Sequence, residues 1–128
     1  MSLVTGIDII EIERIRGAIQ RHGEAFLRRI YTATELAEAD GSASSLAARF
    51  AAKEAVSKAL GCGIGPVSWQ EIEICRGPAN RPLLRLYGAA ASLSASLGLN
   101  EWSLSLSHSQ EYAVAVAVAL GGGENRPG

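Results

Sequence analysis

The run Tyr112 to Leu120 alternates alanine with valine, and no other stretch of the 128 residues restricts the fold as tightly. Successive side chains of a strand point to opposite faces, so this run offers methyl groups on one side and β-branched groups on the other. The alanine side lets a helix sit close. The valine side is apolar too, so the strand calls for burial on both faces. A chain of 13.4 kDa has room for one domain and one core. In so short a chain, burial of the second face draws on another subunit. The composition agrees: hydrophobic residues are 48%, yet there are only two Phe, three Tyr and two Trp. Close backbone packing must replace bulky core filling.

The rest of the chain reads as alternating grammars. Val4 to Ile10 is a short apolar strand. Ile12, Ile15, Ala18 and Ile19 recur at helical spacing up to Gly23, and Phe26, Leu27 and Ile30 mark a second short helix. Thr34 is an N-cap candidate for a helix over Glu35 to Asp40. Ser44 and Ser45 open the longest helix, which Gly61-Cys-Gly-Ile-Gly-Pro66 stops. Glu71 to Arg76 and Leu83 to Tyr87 alternate around a turn at Gly77 to Pro82, predicting a hairpin. Ala89 to Leu97 is a small alanine-serine helix, and Trp102 to His108 pairs with the alanine-valine strand. The expectation is a single α+β domain over residues 1–120, its mainly antiparallel sheet packed against a long central helix and shorter helices. A disordered tail is expected over 121–128.

Twelve basic and thirteen acidic residues nearly cancel, which argues against an electrostatically driven nucleic-acid binder. Two cysteines, Cys62 and Cys75, allow at most one bridge, and with no signal-peptide pattern at the start they read as cytoplasmic. No apolar run approaches the roughly 20 residues of a membrane helix. The balance hides segregated blocks. Asp8, Glu11 and Glu13 open the chain without a basic residue, and Arg14, Arg16, Arg21, Arg28 and Arg29 then stand against Glu24 alone. Arg49, Lys53 and Lys58 later stand against Glu54. Such blocks are either solvated helix faces or a docking face and a phosphate pocket, and charge alone does not separate the two.

Two carboxylates stand in unusual company. Asp8, flanked by Ile7 and Ile9, either points to solvent or meets a cation, because unpaired burial is costly. Glu54 lies among alanines on the long helix and can pair with Lys58 four residues on. Two hard oxygen ligands are about what a protein contributes to magnesium, with waters and substrate phosphate completing the shell. His22, Cys62, Cys75 and His108 have no zinc-ligand spacing. Gly61, Gly63 and Gly65 follow a helix rather than open one, so by themselves they read as a helix stop and a flexible turn.

The segments do resemble one family. Arg49-Phe-Ala-Ala-Lys-Glu-Ala-Val-Ser-Lys-Ala-Leu-Gly-Cys-Gly-Ile-Gly65 is similar to the signature of the holo-acyl-carrier-protein synthase (AcpS-type) 4'-phosphopantetheinyl transferases. Gly6-Ile-Asp-Ile9 resembles that family's amino-terminal motif, Ser105-Leu-Ser-His108 with Tyr112-Ala-Val-Ala-Val its carboxyl-terminal one, and Asn80-Arg81-Pro82 its Gly-Lys-Pro turn. The likeness spans about residues 3–120 in matching order.

The resemblance implies a magnesium-dependent transfer of the phosphopantetheine arm of coenzyme A to a serine of apo-acyl carrier protein. Adenosine 3',5'-bisphosphate leaves, and the product serves fatty acid or polyketide biosynthesis. It implies the family's fold and a homotrimer with active sites between protomers. By motif match, Asp8 and Glu54 are the metal ligands, and Glu54 is the candidate general base, itself or through a water on the metal. Lys58 and His108 face the phosphates as catalytic and cofactor contacts, and Gly61, Gly63 and Gly65 let backbone approach the cofactor. Arg49, with Arg81 and Pro82, matches contacts to the adenosine 3'-phosphate and adenine. Arg14, Arg21 and Arg28 fall where the family docks its acidic carrier protein. Cys62, Asn80 and Ser109 depart from the usual residues of these motifs. The competing readings are a non-catalytic coenzyme A or carrier-protein binding module, marked by loss of Asp8 or Glu54, and a small hydrolase using Ser107 and His108. In a strand the latter two point to opposite faces and cannot cooperate.

Overall fold

Small side chains decide how closely the elements approach one another. The structure, a computed structural model, describes residues 2–122. Strand β1 (Ser2–Glu11) leads into helices α1 (Ile12–His22), α2 (Glu24–Ile30) and α3 (Ala33–Ala39). Helix α4 (Ala43–Ala59) follows, then strands β2 (Ile72–Arg76) and β3 (Pro82–Leu86), helix α5 (Gly88–Ser96), and strands β4 (Leu99–His108) and β5 (Tyr112–Gly121). The α+β class and the antiparallel pairing follow the sequence reading. The sheet, however, is divided. One sheet runs β1-β5-β4 and the hairpin β2-β3 forms a second. The alanine-valine strand is therefore the middle of its sheet, paired on both edges.

The register sorts the faces. Even-numbered residues of β1 (Val4, Gly6, Asp8, Ile10) share a face with Ala113, Ala115, Ala117 and Ala119 of β5 and with Leu104 and Leu106 of β4. This inner face packs on α4, and those four alanines are fully buried. Gly6 marks the tightest point. A Cβ built there would lie 1.9 Å from the carbonyl oxygen of Ala55, so the β1 backbone touches the helix backbone. The outer face carries Leu3, Ile7 and Ile9 beside Val114, Val116 and Val118, with Ser103, Ser105 and Ser107 on β4. Within one chain the valines are half-buried, whereas Leu3, Ile7 and Ile9 are 66%, 60% and 63% exposed. Burial of both faces of β5 is thus not achieved by a single chain.

Helix starts shift from the expected residues for a local reason. Thr32, not Thr34, caps α3: its side chain accepts from the Glu35 backbone N–H while the Glu35 carboxylate accepts from the Thr32 N–H, a reciprocal capping box. Ser42, not Ser44, caps α4 by accepting from the N–H of Ser45. Gly121 belongs to β5, paired with Ser2 and Leu99, instead of opening a tail. The remainder of the expected disordered segment, 123–128, lies outside the described residues.

Helix α4 is enclosed on nearly every side, and two of its basic residues are internal. Lys53 is fully buried and ion-paired with fully buried Glu35 at 2.8 Å. Its ammonium also donates to the carbonyls of Trp69, at 2.9 Å, and Ile72. Burial pushes the Lys53 amine below the usual lysine range, against the opposing pull of Glu35. The second carboxylate oxygen of Glu35 accepts from the Ile74 N–H, so one pair ties α3, α4 and β2 together. The Arg49–Lys53–Lys58 block is therefore neither a solvated face nor one open pocket, since Arg49 and Lys53 are buried and Lys58 is exposed.

Gly6→Ala should destabilise the protein by about 1–3 kcal/mol in urea unfolding, because the new methyl meets backbone that cannot rotate away. Thr34→Ala, at an exposed position on α3, should stay within about 0.5 kcal/mol. Equal stability of the two variants would contradict the close strand–helix approach.

Candidate active site

The touching backbones of β1 and α4 bring two carboxylates to one place. Asp8 follows Gly6 on the inner face, and Glu54 precedes Ala55 on the helix. Lys58 lies one turn further along α4 and reaches across. Its ammonium donates to the Asp8 carboxylate and to the Ile7 carbonyl, each at 3.0 Å. The ion pair that the sequence offers Lys58 with Glu54 is thus made with Asp8 instead. Burial pushes the Glu54 carboxyl above the ordinary glutamate range, the Asp8 charge adds to this, and Lys58 offsets it. Two carboxylates close enough to interact, against the one ammonium paired with Asp8, leave an excess of negative charge that attracts a further cation.

That donor set fits magnesium better than a closed all-protein metal cage. Among the described residues, no three His, Cys, Asp or Glu side chains gather into a metal cluster. Magnesium is commonly held by one or two carboxylates, with waters and substrate phosphates as the other ligands. Asp8 and Glu54 supply that number of carboxylates and leave the remaining positions to a substrate.

The glycine loop begins one turn beyond Lys58. Gly61, Gly63 and Gly65 all have φ in the left-handed region (81°, 68° and 139°), where a side chain would be strained. Both ends of the loop are fixed to α4. At its start the N–H groups of Cys62 and Gly63 both donate to the Ser57 carbonyl. At its end Trp69 stacks on Phe50, ring centroids 4.7 Å apart, and its carbonyl accepts from Lys53. Cys62, in this loop, and buried Cys75 are free thiols. Burial raises both, Cys75 to about 11, so neither is a ready thiolate nucleophile.

The other expected contacts lie in separate depressions of the same chain. Arg49 lines a cleft of about 180 Å3 with Ser45, Arg76, Asn80 and Pro82, into which Asp8, Glu54 and Lys58 do not reach. Its guanidinium is occupied on one side by the Ile74 carbonyl and by Glu38, at 3.0 Å. Arg81 is exposed and does not line that cleft. His108, at the end of β4, shares a groove with Arg16 and Ser44. Ser44 lies ten residues before Glu54 on α4, about 15 Å along the helix axis. Ser107 sits on the opposite face of β4 from His108, as alternation requires, and no Ser–His pair forms there.

The arginines expected at a docking face are grouped in part. Arg14 and Arg21 line one groove together with Ile15, Phe26 and Phe50. Arg28 lines another, beside Arg29, Gly65 and Gln70, and is ion-paired with Glu24 at 3.0 Å. Sequence reasoning missed Lys53, Glu35 and Arg76. Lys53 could have been noticed as a lone cation among small apolar residues; Glu35 and Arg76 carry no comparable signal.

These features fit one family of proteins. Residues 5–117 match the family model of the 4'-phosphopantetheinyl transferase superfamily. A holo-[acyl-carrier-protein] synthase of Herpetosiphon aurantiacus is 48% identical over 109 residues, covering 80% of this chain and 86% of the relative. One from Moorella thermoacetica is 50% identical over 102 residues, covering 77% and 79%. Among solved structures, the Helicobacter pylori holo-[acyl-carrier-protein] synthase in complex with coenzyme A superposes with a TM-score of 0.84 at 37% identity, covering 91% of this chain and 99% of that one. The Neisseria meningitidis enzyme gives 0.83 at 36%, covering 91% and 97%. With nearly its whole described length matched in sequence and in fold, the chain belongs to the 4'-phosphopantetheinyl transferase superfamily.

Proposed function

We infer that the chain is a cytoplasmic holo-acyl-carrier-protein synthase serving fatty acid or polyketide synthesis. It moves the 4'-phosphopantetheine arm of coenzyme A onto a serine of apo-acyl carrier protein and releases adenosine 3',5'-bisphosphate. The observation that carries this reading is the convergence of Asp8, Glu54 and Lys58 beside the glycine loop in a chain of this superfamily. Presence of both carboxylates speaks against a merely binding module.

In the transfer, the serine oxygen bonds to the β-phosphorus, the bond from that phosphorus to the bridging oxygen breaks, and the bisphosphate leaves with the electron pair. Asp8 and Glu54 would hold magnesium, which would neutralise pyrophosphate charge and stabilise the leaving group. Glu54 accepts the serine proton. Lys58, fixed by Asp8 and the Ile7 carbonyl, presents a cation to the phosphates. The left-handed glycines remove side chains from the loop beside them, so that phosphate and pantetheine can lie against backbone.

The clefts holding Arg49 and His108 complete the site from a neighbouring protomer in a homotrimer. Two facts support this arrangement: the pieces are separated within one chain, and the outer sheet face leaves Leu3, Ile7 and Ile9 exposed beside a valine row. Contiguous apolar surface of this kind marks an association face. Arg14 and Arg21, lining one groove with apolar residues between them, form the docking face for an acidic helical carrier protein.

Incubation with apo-carrier protein, coenzyme A and magnesium should add one phosphopantetheine mass to the carrier. Asp8→Ala and Glu54→Ala should each lower kcat by about 10²–10⁴-fold with melting temperature little changed; an undiminished rate would refute the assignment. Charge reversal at Arg14 and Arg21 should raise KM for carrier protein, increasingly so at low salt, and leave KM for coenzyme A nearly intact. Equal change in both constants would remove the docking assignment. Mixed trimers of inactive Glu54→Ala and His108→Ala chains should regain part of the activity, whereas a site built within one chain would regain none.

A further inference from the structure

The cleft beside Arg49 has a charge requirement that Arg49 does not meet. This arginine is only 6% exposed, and its guanidinium pairs with the Glu38 carboxylate. The two charges offset each other, so a phosphate entering the cleft would find no net cation in that pair. A phosphate monoester brings about −1.5 to −2 charges at neutral pH. Of the residues lining the cleft, Arg76 is the other basic one.

Arg76 is placed and charged to supply what is missing. It ends β2, where its N–H donates to the Glu38 carboxylate at 2.8 Å, and its side chain is exposed at the rim. One guanidinium nitrogen donates to the Glu38 main-chain carbonyl at 3.1 Å. That acceptor is neutral, so the bond orients the guanidinium without cancelling its charge. Asn80 lines the same cleft from the hairpin turn, held at φ 60°, and adds a polar residue to its lining. Arg81, the nearest sequence candidate, stays outside.

We propose that Arg76 is a specificity-determining contact for the 3'-phosphate of coenzyme A and sets the preference for coenzyme A over its 3'-dephospho form. The proposal rests on the reading of the Arg49 cleft as the nucleotide end of the coenzyme A site. The guanidinium fork contributes charge-assisted hydrogen bonds that a 3'-hydroxyl cannot engage, so its removal costs the phosphorylated ligand selectively.

The test has a binding arm and a turnover arm. Equilibrium binding of adenosine 3',5'-bisphosphate and of adenosine 5'-monophosphate is measured on the full-length wild type, Arg76→Gln, Arg76→Lys and Arg85→Gln, the last on the exposed side of β3. KM is measured for coenzyme A and 3'-dephospho-coenzyme A on the same proteins. Arg76→Gln should weaken the bisphosphate and raise KM for coenzyme A about tenfold or more, leaving both dephospho ligands within about twofold. Arg76→Lys should recover part of the loss, and Arg85→Gln should resemble wild type. Equal losses for phosphorylated and dephospho ligands would show a structural role and overturn the proposal, as would no loss, or the same loss in Arg85→Gln. A wild type that binds the bisphosphate selectively through Arg76 yet transfers nothing would sink the transferase reading and leave this contact standing.

Discussion

The contact between backbone and backbone at Gly6 and Ala55 is the constraint from which the rest of the molecule follows. A helix ordinarily packs on a sheet at a distance set by its side chains. Here the inner face of β5 is alanine throughout, β1 offers glycine, and α4 answers with Ala47, Ala51, Ala52, Ala55 and Ala59. Removing bulk from both partners shortens the separation, and the many weak dispersion contacts of close-packed methyls replace the few large aromatics this chain lacks. The shortened separation has a chemical consequence. Aspartate and lysine have limited reach, and only a helix lying directly on the strand lets Lys58 grasp both the Ile7 carbonyl and Asp8 while Glu54 faces the same carboxylate.

Closeness on one side has to be matched by restraint on the other, because smooth alanine faces slide. The opposite side of α4 carries two long cations whose heads are fixed inside the protein. Lys53 meets Glu35 and two carbonyls; Arg49 meets Glu38, Ile74 and Ser45. A buried ion pair is a poor source of stability, since desolvation cancels much of the attraction, but losing one partner leaves the other charge stranded. Such a pair penalises any shift of α4 along its axis or about it. It also fixes Trp69, hence the far end of the glycine loop, to the helix that carries Glu54 and Lys58.

What was legible in the sequence was what local rules govern. Periodicity located the strands and helices, and the alanine-valine run announced a strand with one close-packed face. The errors came where a distant partner decides. Thr32 rather than Thr34 caps α3 because Glu35 completes the capping box, while its second carboxylate oxygen serves Ile74, 39 residues on. Lys58 chooses Asp8, 50 residues away, over Glu54 at one helical turn. The hairpin β2-β3 reads correctly as a hairpin, yet nothing local tells that it forms a sheet of its own while β1 pairs with the last strand. Asp8 and Glu54 were visible because they sit among apolar residues where charge is costly. Arg76 was not, since an arginine beside a turn is ordinary until the fold sets it over a cleft.

The division of β5 into an alanine face and a valine face separates two kinds of packing that a short chain has to reconcile. The inner side is complete within one protomer, and it positions Asp8 against Glu54. On the outer side, valine rather than alanine leaves β-branched bulk half-covered, continued by Ile7 and Ile9 on the strand that carries Asp8. A neighbour seated there in the proposed trimer would press on the back of the same strand whose front holds the carboxylate. Assembly and catalysis would then share β1: covering its odd-numbered side chains would stiffen the backbone that presents Asp8, and would bring another protomer's Arg49 cleft toward the carboxylate pair. The thin core and the incomplete site are then one property of the chain, resolved by the same contact.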